Sequence, residues 1–401
     1  MKGQSTTAVA GSKKNTIAGK IRTANRGYFD YSLLMVIVFL CVFGLIMVYS
    51  SSYYTARVTS GDQFLYVRRQ AIAFAIGFAA MLVVSHIDYH LFRKLAIPAF
   101  VLALVLMLLV NYTPFGIEYN GQKRWFGIAG HSLFQAAEAV KLAIIVSVPA
   151  LVTKLAGKID TIRAQLLVVA VHVPVIYLVL DNNLSSGIII FGMVCAVIFI
   201  ASKKRLRFFV LIALAVAAVV FVYYNIDTIV ELGILEEYQA QRIYVWQDPS
   251  SYSTTGAYQV LQGLYAIGSG GFFGKGLGQS LQKLDFVPEV QNDMIFTIIC
   301  EELGVFGAIC VILLFLYLLW RLMVIANNAP DLFGALMVVC IMAQIALQVI
   351  FNIAVVTNTI PNTGITLPFI SYGGTSVVFL LIEMGIALSV ARSIGTEASK
   401  T

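Results

Sequence analysis

Charged side chains are scarce. Asp, Glu, Lys and Arg make up 12% of the 401 residues, where a soluble domain carries roughly a quarter. With 59% hydrophobic residues, the chain has more apolar surface than a water-facing fold can hide, so its solvent is lipid. Regular alternation of apolar and polar residues is missing too, which excludes a membrane β-barrel. The cysteines are few: Cys41, Cys195, Cys300, Cys310 and Cys340 all fall in apolar runs and form no CxxC pair. Neither a disulfide framework nor a zinc site follows from them. His86 and His90, four apart, lack an evident third ligand, so no metal is assigned to them. No basic patch interleaved with aromatics offers a surface for nucleic acid. Nucleotide loops are absent: the first glycine of a Walker A pattern would be Ser269, Gly276 follows the lysine, and GxGxxG fails at Phe273 and Gln279. No internal repeat supports an inverted-repeat transporter.

What is present is a series of long apolar runs. A spanning helix needs about 20 such residues. Runs occur at 31–50, 70–86, 94–111, 137–155, 164–181, 184–201, 206–224, 293–320, 331–357 and 374–392. The expectation is an all-α polytopic integral membrane protein of about ten transmembrane helices. Residues 1–30 form a basic tail without a clear small-residue cleavage site, residues 31–392 a single transmembrane domain, and residues 393–401 a second tail. Ten spans return both termini to one side. Of the 27 Lys and Arg, 18 fall on that side. Eight fall on the other (Arg57, Arg68, Arg69, Lys123, Arg124, Arg242, Lys275 and Lys283), and Lys141 lies within the fourth span. This bias places both termini in the cytoplasm, although the Arg68–Arg69 pair runs against it. Two outer segments, 112–136 and 225–292, are too long to be connectors, and function is expected there.

The larger segment, an extracytoplasmic loop between the seventh and eighth spans, contains YQVLQGLYAIGSGGFFGKGLGQS (258–280). It carries seven glycines between Gly263 and Gly278. Glycine allows close approach of backbone to a ligand, or turns with φ > 0. Tyr258, Val260, Leu261, Leu264 and Tyr265 suit a short amphipathic helix in the interface. FVPEVQNDMIFTIICEELG (286–304) follows, with Pro288 in an extended approach and Asn292 as a candidate N-cap. On a helix Asp293, Thr297, Cys300 or Glu301, and Gly304 share a face. A carboxylate at the membrane boundary can serve as a general base, or can simply suit the helix dipole. Glu301 and Glu302 lie deeper and are expected to be paired.

The smaller segment reads NGQKRWFGIAGHSLFQAAEAVKL (120–142). Lys123, Arg124, Trp125, Gln135, Glu138 and Lys141 are its polar and aromatic handles. Glu138 and Lys141, three apart, can pair within the membrane. Arg124 can hold a phosphate or, with Trp125, anchor the interface. PNTGITLPFISYGGTS (361–376), uncharged and rich in Pro and Gly, is expected to form a re-entrant turn before the last span. Arg242, Trp246 and Asp248 add polar groups to the large loop.

These four segments, in this order on a ten-span frame, resemble the SEDS family of shape, elongation, division and sporulation proteins. That family is the FtsW, RodA and SpoVE type, and the wording is nearer the FtsW/SpoVE branch. The resemblance covers nearly everything beyond residue 30. It implies a peptidoglycan glycosyltransferase of the bacterial cytoplasmic membrane, which polymerises lipid II on the outer face. Implied partners are a class B penicillin-binding transpeptidase and membrane proteins of the divisome or elongasome. The family's essential loop aspartate falls on Asp293, its residues around the fourth span on Arg124, Glu138 and Lys141, and its Pro-Glu on Pro288–Glu289. With Lys123, Gln135 and Glu289 included, these form the candidate substrate-binding set around a catalytic Asp293. Two departures stand out. Asn292 replaces a frequent threonine, and Asp181-Asn182-Asn183-Leu184-Ser185-Ser186-Gly187 replaces a frequent Glu-Pro-Asp-Phe-Gly.

The implied reaction is an inverting glycosyl transfer. Asp293 would take the proton of a GlcNAc 4-hydroxyl as it attacks the MurNAc anomeric carbon of the growing undecaprenyl-linked glycan. Undecaprenyl pyrophosphate would leave against Arg124 and Lys141, with a divalent cation, Mg or Mn, as a further counter-charge. A lipid II flippase would use the same helices without a base. A non-catalytic divisome scaffold would tolerate loss of Asp293.

Overall fold

The computed structural model describes residues 29–119, 122–128, 130–233, 237–252, 257–284 and 290–397. Among the described residues, ten helices are long and apolar enough to cross a membrane. They are α1 (Tyr31–Ser60), α2 (Leu65–His86), α3 (His90–Tyr112), α4 (Ala136–Lys154), α5 (Ile162–Asn182), α6 (Leu184–Ala201), α7 (Leu206–Tyr224), α11 (Ile295–Asn327), α12 (Leu332–Val356) and α13 (Gly374–Glu397). Between α7 and α11 lie the shorter α8 (Ile226–Glu231), α9 (Glu237–Gln247) and α10 (Tyr258–Ser269). The protein is a multi-pass membrane protein, as its composition requires.

Helix ends follow local chemistry. Asp30 accepts from Leu33 N at 2.9 Å, Asn183 from Ser186 N at 3.1 Å and Asp331 from Gly334 N at 2.8 Å, each satisfying a first-turn amide. Gly61, at φ +73°, closes α1 in the left-handed region. Pro98, Pro149 and Pro174 sit inside spans, a placement more frequent in membrane helices than in soluble ones.

The turns sort onto two faces. On the terminal face the start of α1 meets the end of α11 through Arg321–Asp30 at 2.5 Å. On the same face Tyr89 donates to Asp331 at 3.0 Å, and Ser389 to Ile87 O at 2.5 Å. The long connections lie on the opposite, loop face. Small residues let helices close up. A Cβ on Gly385 would come 2.8 Å from Met81 O, and one on Gly77 would overlap Leu381, so α13 lies directly against α2. The buried core runs through α4, α12 and α13. By contrast, α7 has no buried residue.

The loop after α3 differs from an irregular connector. It forms an antiparallel sheet, β1 (Gly116–Tyr119), β2 (Gln122–Ile128) and β3 (His131–Gln135), in the order β1-β2-β3. Cross-strand register sets Phe126 opposite Phe134, and Phe115, just before β1, extends the row, with ring centroids 5.9 and 5.5 Å apart. Phe134 continues onto Phe379 of α13 at 5.8 Å, docking the sheet on the bundle.

Candidate functional site at the loop-face mouth of α11

Asp293 does not lie on a helix. Residues 291–294 form a turn, and α11 starts at Ile295 with Met294, not Asn292, in the capping position. This corrects the shared helical face expected for Asp293 and Thr297. The reason is a competing bond: the Asp293 carbonyl accepts Asn352 Nδ2 at 2.8 Å, while Thr297 N turns to Met294 O at 3.0 Å. The same Asn352 amide donates to Ile365 O at 2.7 Å. One buried side chain thus joins Asp293 to the 357–373 loop.

The Asp293 carboxylate is half-buried. Gln259 Nε2, on α10, donates to its Oδ1 at 3.4 Å, and Asn362 Nδ2 donates to Gln259 Oε1 at 3.1 Å. Arg242 NH1, on α9, reaches Asn362 O at 3.4 Å. Gly364 runs past the carboxylate, where a Cβ would lie 3.8 Å from Oδ2. Trp246 Nε1 donates to Asn358 O at 3.0 Å, pinning α9 to the same loop. Asp227 beside Tyr244, at 2.7 Å, pushes that hydroxyl up and ties α8 to α9. The 357–373 loop is re-entrant, as expected. A Cβ on Gly44, midway along α1, would come 2.5 Å from Phe369 O.

The α5–α6 turn connects this mouth to Arg124. Ser185 Oγ donates to Thr363 O at 2.7 Å, and on the other side Arg124 Nε donates to Asn182 O at 3.0 Å. Arg124 and Gln135 line one small recess with Asn182 and Asn183. Lys123 is half-buried on β2 opposite Glu118. Glu138 and Lys141 sit inside the bundle, paired at 2.8 Å, with Lys141 only 2% exposed. Their charges bear on Glu383 of α13, whose carboxylate accepts Gln344 Nε2 at 2.9 and 3.1 Å. The structure therefore brings Asp293 together with Gln259 and Asn362, and Arg124 with Gln135. It keeps Glu138 and Lys141 in a separate buried cluster. Pro288 and Glu289 lie outside the described residues. Gln259, Asn352, Gln344 and Glu383 were not singled out from sequence; the last three are polar residues isolated in apolar runs, a usable signal.

The glycine-rich segment has a specific task. At Gly304 (φ +67°, ψ −167°) α11 is broken, a conformation essentially restricted to glycine. The broken ladder is completed by the 271–276 strip. Lys275 N and Gly276 N donate to Glu301 O and Glu302 O, each at 2.9 Å, while Val305 N and Phe306 N donate to Gly271 O and Phe272 O, each at 3.0 Å. At membrane depth such groups must be satisfied within the protein. Both glutamates are paired: Glu301 with Lys275 at 2.7 Å and with Ser280 Oγ, and Glu302 with Lys283 at 2.7 Å and Ser50 Oγ at 2.6 Å.

The family described as cell cycle protein, of FtsW, RodA and SpoVE, matches residues 31–395. The chain belongs to this family. It is 36% identical over 365 residues to stage V sporulation protein E of Bacillus subtilis, covering 90% of this chain and 97% of that one. It is 34% identical over 381 residues to the probable peptidoglycan glycosyltransferase FtsW of Bacillus subtilis, covering 93% of each. Among solved structures, a chain from a peptidoglycan synthase complex that coordinates polymerization and crosslinking superposes with a TM-score of 0.72, at 24% identity, over 91% of this chain and 98% of the other. The rod shape determining protein RodA of Thermus thermophilus superposes with a TM-score of 0.64, at 23% identity, over 91% and 97%. Both share the fold of this SEDS chain.

Proposed function

We propose that the chain is a peptidoglycan glycosyltransferase that polymerises lipid II, serving cell division or sporulation. Family relatives are named as probable peptidoglycan glycosyltransferases. The observation that carries the reading is the Asp293 carboxylate, half-buried at the loop-face mouth of α11 and bonded by Gln259. With the loop face outward and both termini cytoplasmic, this mouth opens where lipid-linked sugars arrive.

Asp293 accepts the proton of the acceptor GlcNAc 4-hydroxyl while that oxygen bonds to the MurNAc anomeric carbon. The bond from that carbon to the pyrophosphate oxygen breaks, its electron pair leaves with undecaprenyl pyrophosphate, and the configuration inverts. Arg124 and Lys123 are the cations offered to the leaving group, with Gln135 beside Arg124 as a further donor. The Glu138–Lys141 pair supports this side of the site from inside the bundle, and Glu289 lies just before Asp293 in the sequence. Magnesium or manganese, when bound, would neutralise pyrophosphate charge; such ions are commonly held by one or two carboxylates plus substrate phosphates. Among the described residues no three His, Cys, Asp or Glu converge. A class B penicillin-binding transpeptidase, working with divisome or elongasome membrane proteins, would crosslink the product.

Polymerisation of purified lipid II in detergent tests the proposal, because flipping is irrelevant there. With the class B partner present, Asp293→Asn is expected to make no glycan while eluting and melting as the unaltered protein does. Polymer made by that variant refutes the catalytic assignment.

A further inference from the structure

The terminal face carries its charge unevenly. On one side Arg93, Lys94, Arg321 and Arg392 stand against Asp30, Asp88 and Asp331, four cations to three acids. The other side holds Lys154, Lys158 and Arg163 around the α4–α5 turn and the Lys203–Lys204–Arg205 run with Arg207 at α6–α7, against a single acid, Asp160. Orientation in a membrane needs an excess on one face, but not its concentration in one quadrant.

Asp160 joins the two turns into one surface. Its Oδ1 accepts Lys203 N at 2.6 Å and Ser202 Oγ at 3.1 Å. Arg207 NH1 donates to Asp160 O at 3.3 Å, and the buried Gln165 donates to Ser202 Oγ at 3.1 Å. The one carboxylate is thereby used within the turns, while Lys158, Lys203, Lys204 and Arg205 are left exposed.

The helix rising from this surface is α7, none of whose residues is buried. Its base is fixed by Phe199 of α6, whose ring meets Phe208 at 5.5 Å and Phe209 at 6.1 Å, with Arg205 over it at 5.7 Å. Hydrocarbon chains can therefore lie along α7 directly beneath a cluster of cations. We propose that the joined α4–α5 and α6–α7 turns bind the headgroup of an anionic phospholipid, with its acyl chains along α7. Basic clusters at the end of a span attract such headgroups, and the bare helix favours a lipid over a soluble anion.

The test uses the full chain in detergent, titrated separately with phosphatidylglycerol and phosphatidylcholine, with bound lipid read by native mass spectrometry. Phosphatidylglycerol is expected to bind at least about tenfold tighter. The double variant Lys203→Gln, Lys204→Gln should weaken it about 30-fold, about fivefold per charge. Lys154→Gln with Lys158→Gln, on the other turn, should act in the same direction. Arg57→Gln with Arg69→Gln removes the same charge from the loop face and should leave binding unchanged. Equal weakening by the loop-face pair, no effect of the α4–α5 pair, or equal binding of phosphatidylcholine overturns the proposal. Displacement of phosphatidylglycerol by inorganic phosphate would reassign the surface to free phosphoryl anions. Tighter binding of polyglutamate would reassign it to an acidic polypeptide. Either result also overturns the proposal.

Discussion

Asn352 holds Asp293 by its main chain. The side-chain amide donates at 2.8 Å to the Asp293 carbonyl and at 2.7 Å to that of Ile365, and no part of Asn352 is exposed. Asn352→Leu keeps the volume and removes both donors, orphaning two carbonyls at about 1–3 kcal/mol each. The expected loss is about 2–6 kcal/mol, read as a lower melting temperature in detergent, together with reduced polymerisation. A variant that melts and polymerises normally would show that the aspartate is positioned by something else.

Gln259 addresses the carboxylate itself. Replacing it with Glu sets a like charge beside Asp293, which favours the protonated base. The acid limb of the pH–rate profile should move up by about one pH unit, while Gln259→Ala lowers the rate without moving the limb in that direction. An unshifted profile for Gln259→Glu would mean that the 3.4 Å contact does not act on the base.

Lys283 and Glu302 are both at most 1% exposed and 2.7 Å apart. Lys283→Met strands a buried carboxylate, which costs about 3–5 kcal/mol. Adding Glu302→Gln should restore most of it, because the uncompensated charge is gone. Additive losses in the double variant would contradict a direct pair.

Asp160 carries a pH signature. Bonds from Lys203 N and Ser202 Oγ hold its carboxyl below the usual range near 3.8. The stabilisation it contributes is present above that range and is lost as the pH falls through the depressed folded value. Asp160→Asn should therefore melt below the unaltered protein at neutral pH, and the difference should close as the pH drops beneath 3.8. A gap that stays constant down to acid pH would separate the joined turns from this carboxylate's charge.

The spans were legible because apolar runs of helical length have few alternatives in lipid. The pairing of Glu301 and Glu302 was legible because buried charge must be compensated. The sheet at 116–135 escaped notice, since its strands of four to seven residues give weak periodicity among glycines. Asp293's place before α11 was hidden because its carbonyl is claimed by Asn352, 59 residues away. Lys275 could be seen to fail a phosphate loop. Its use in a broken helix could not, because only the fold brings the strip at 271–276 beside Gly304.

That break has a consequence for assembly. The amides and carbonyls exposed at Gly304 have partners in a strip that leaves the ribosome roughly thirty residues earlier. When α11 is made, the segment that heals it has already been synthesised. The helix can therefore settle as it arrives, without exposing bare peptide groups to hydrocarbon.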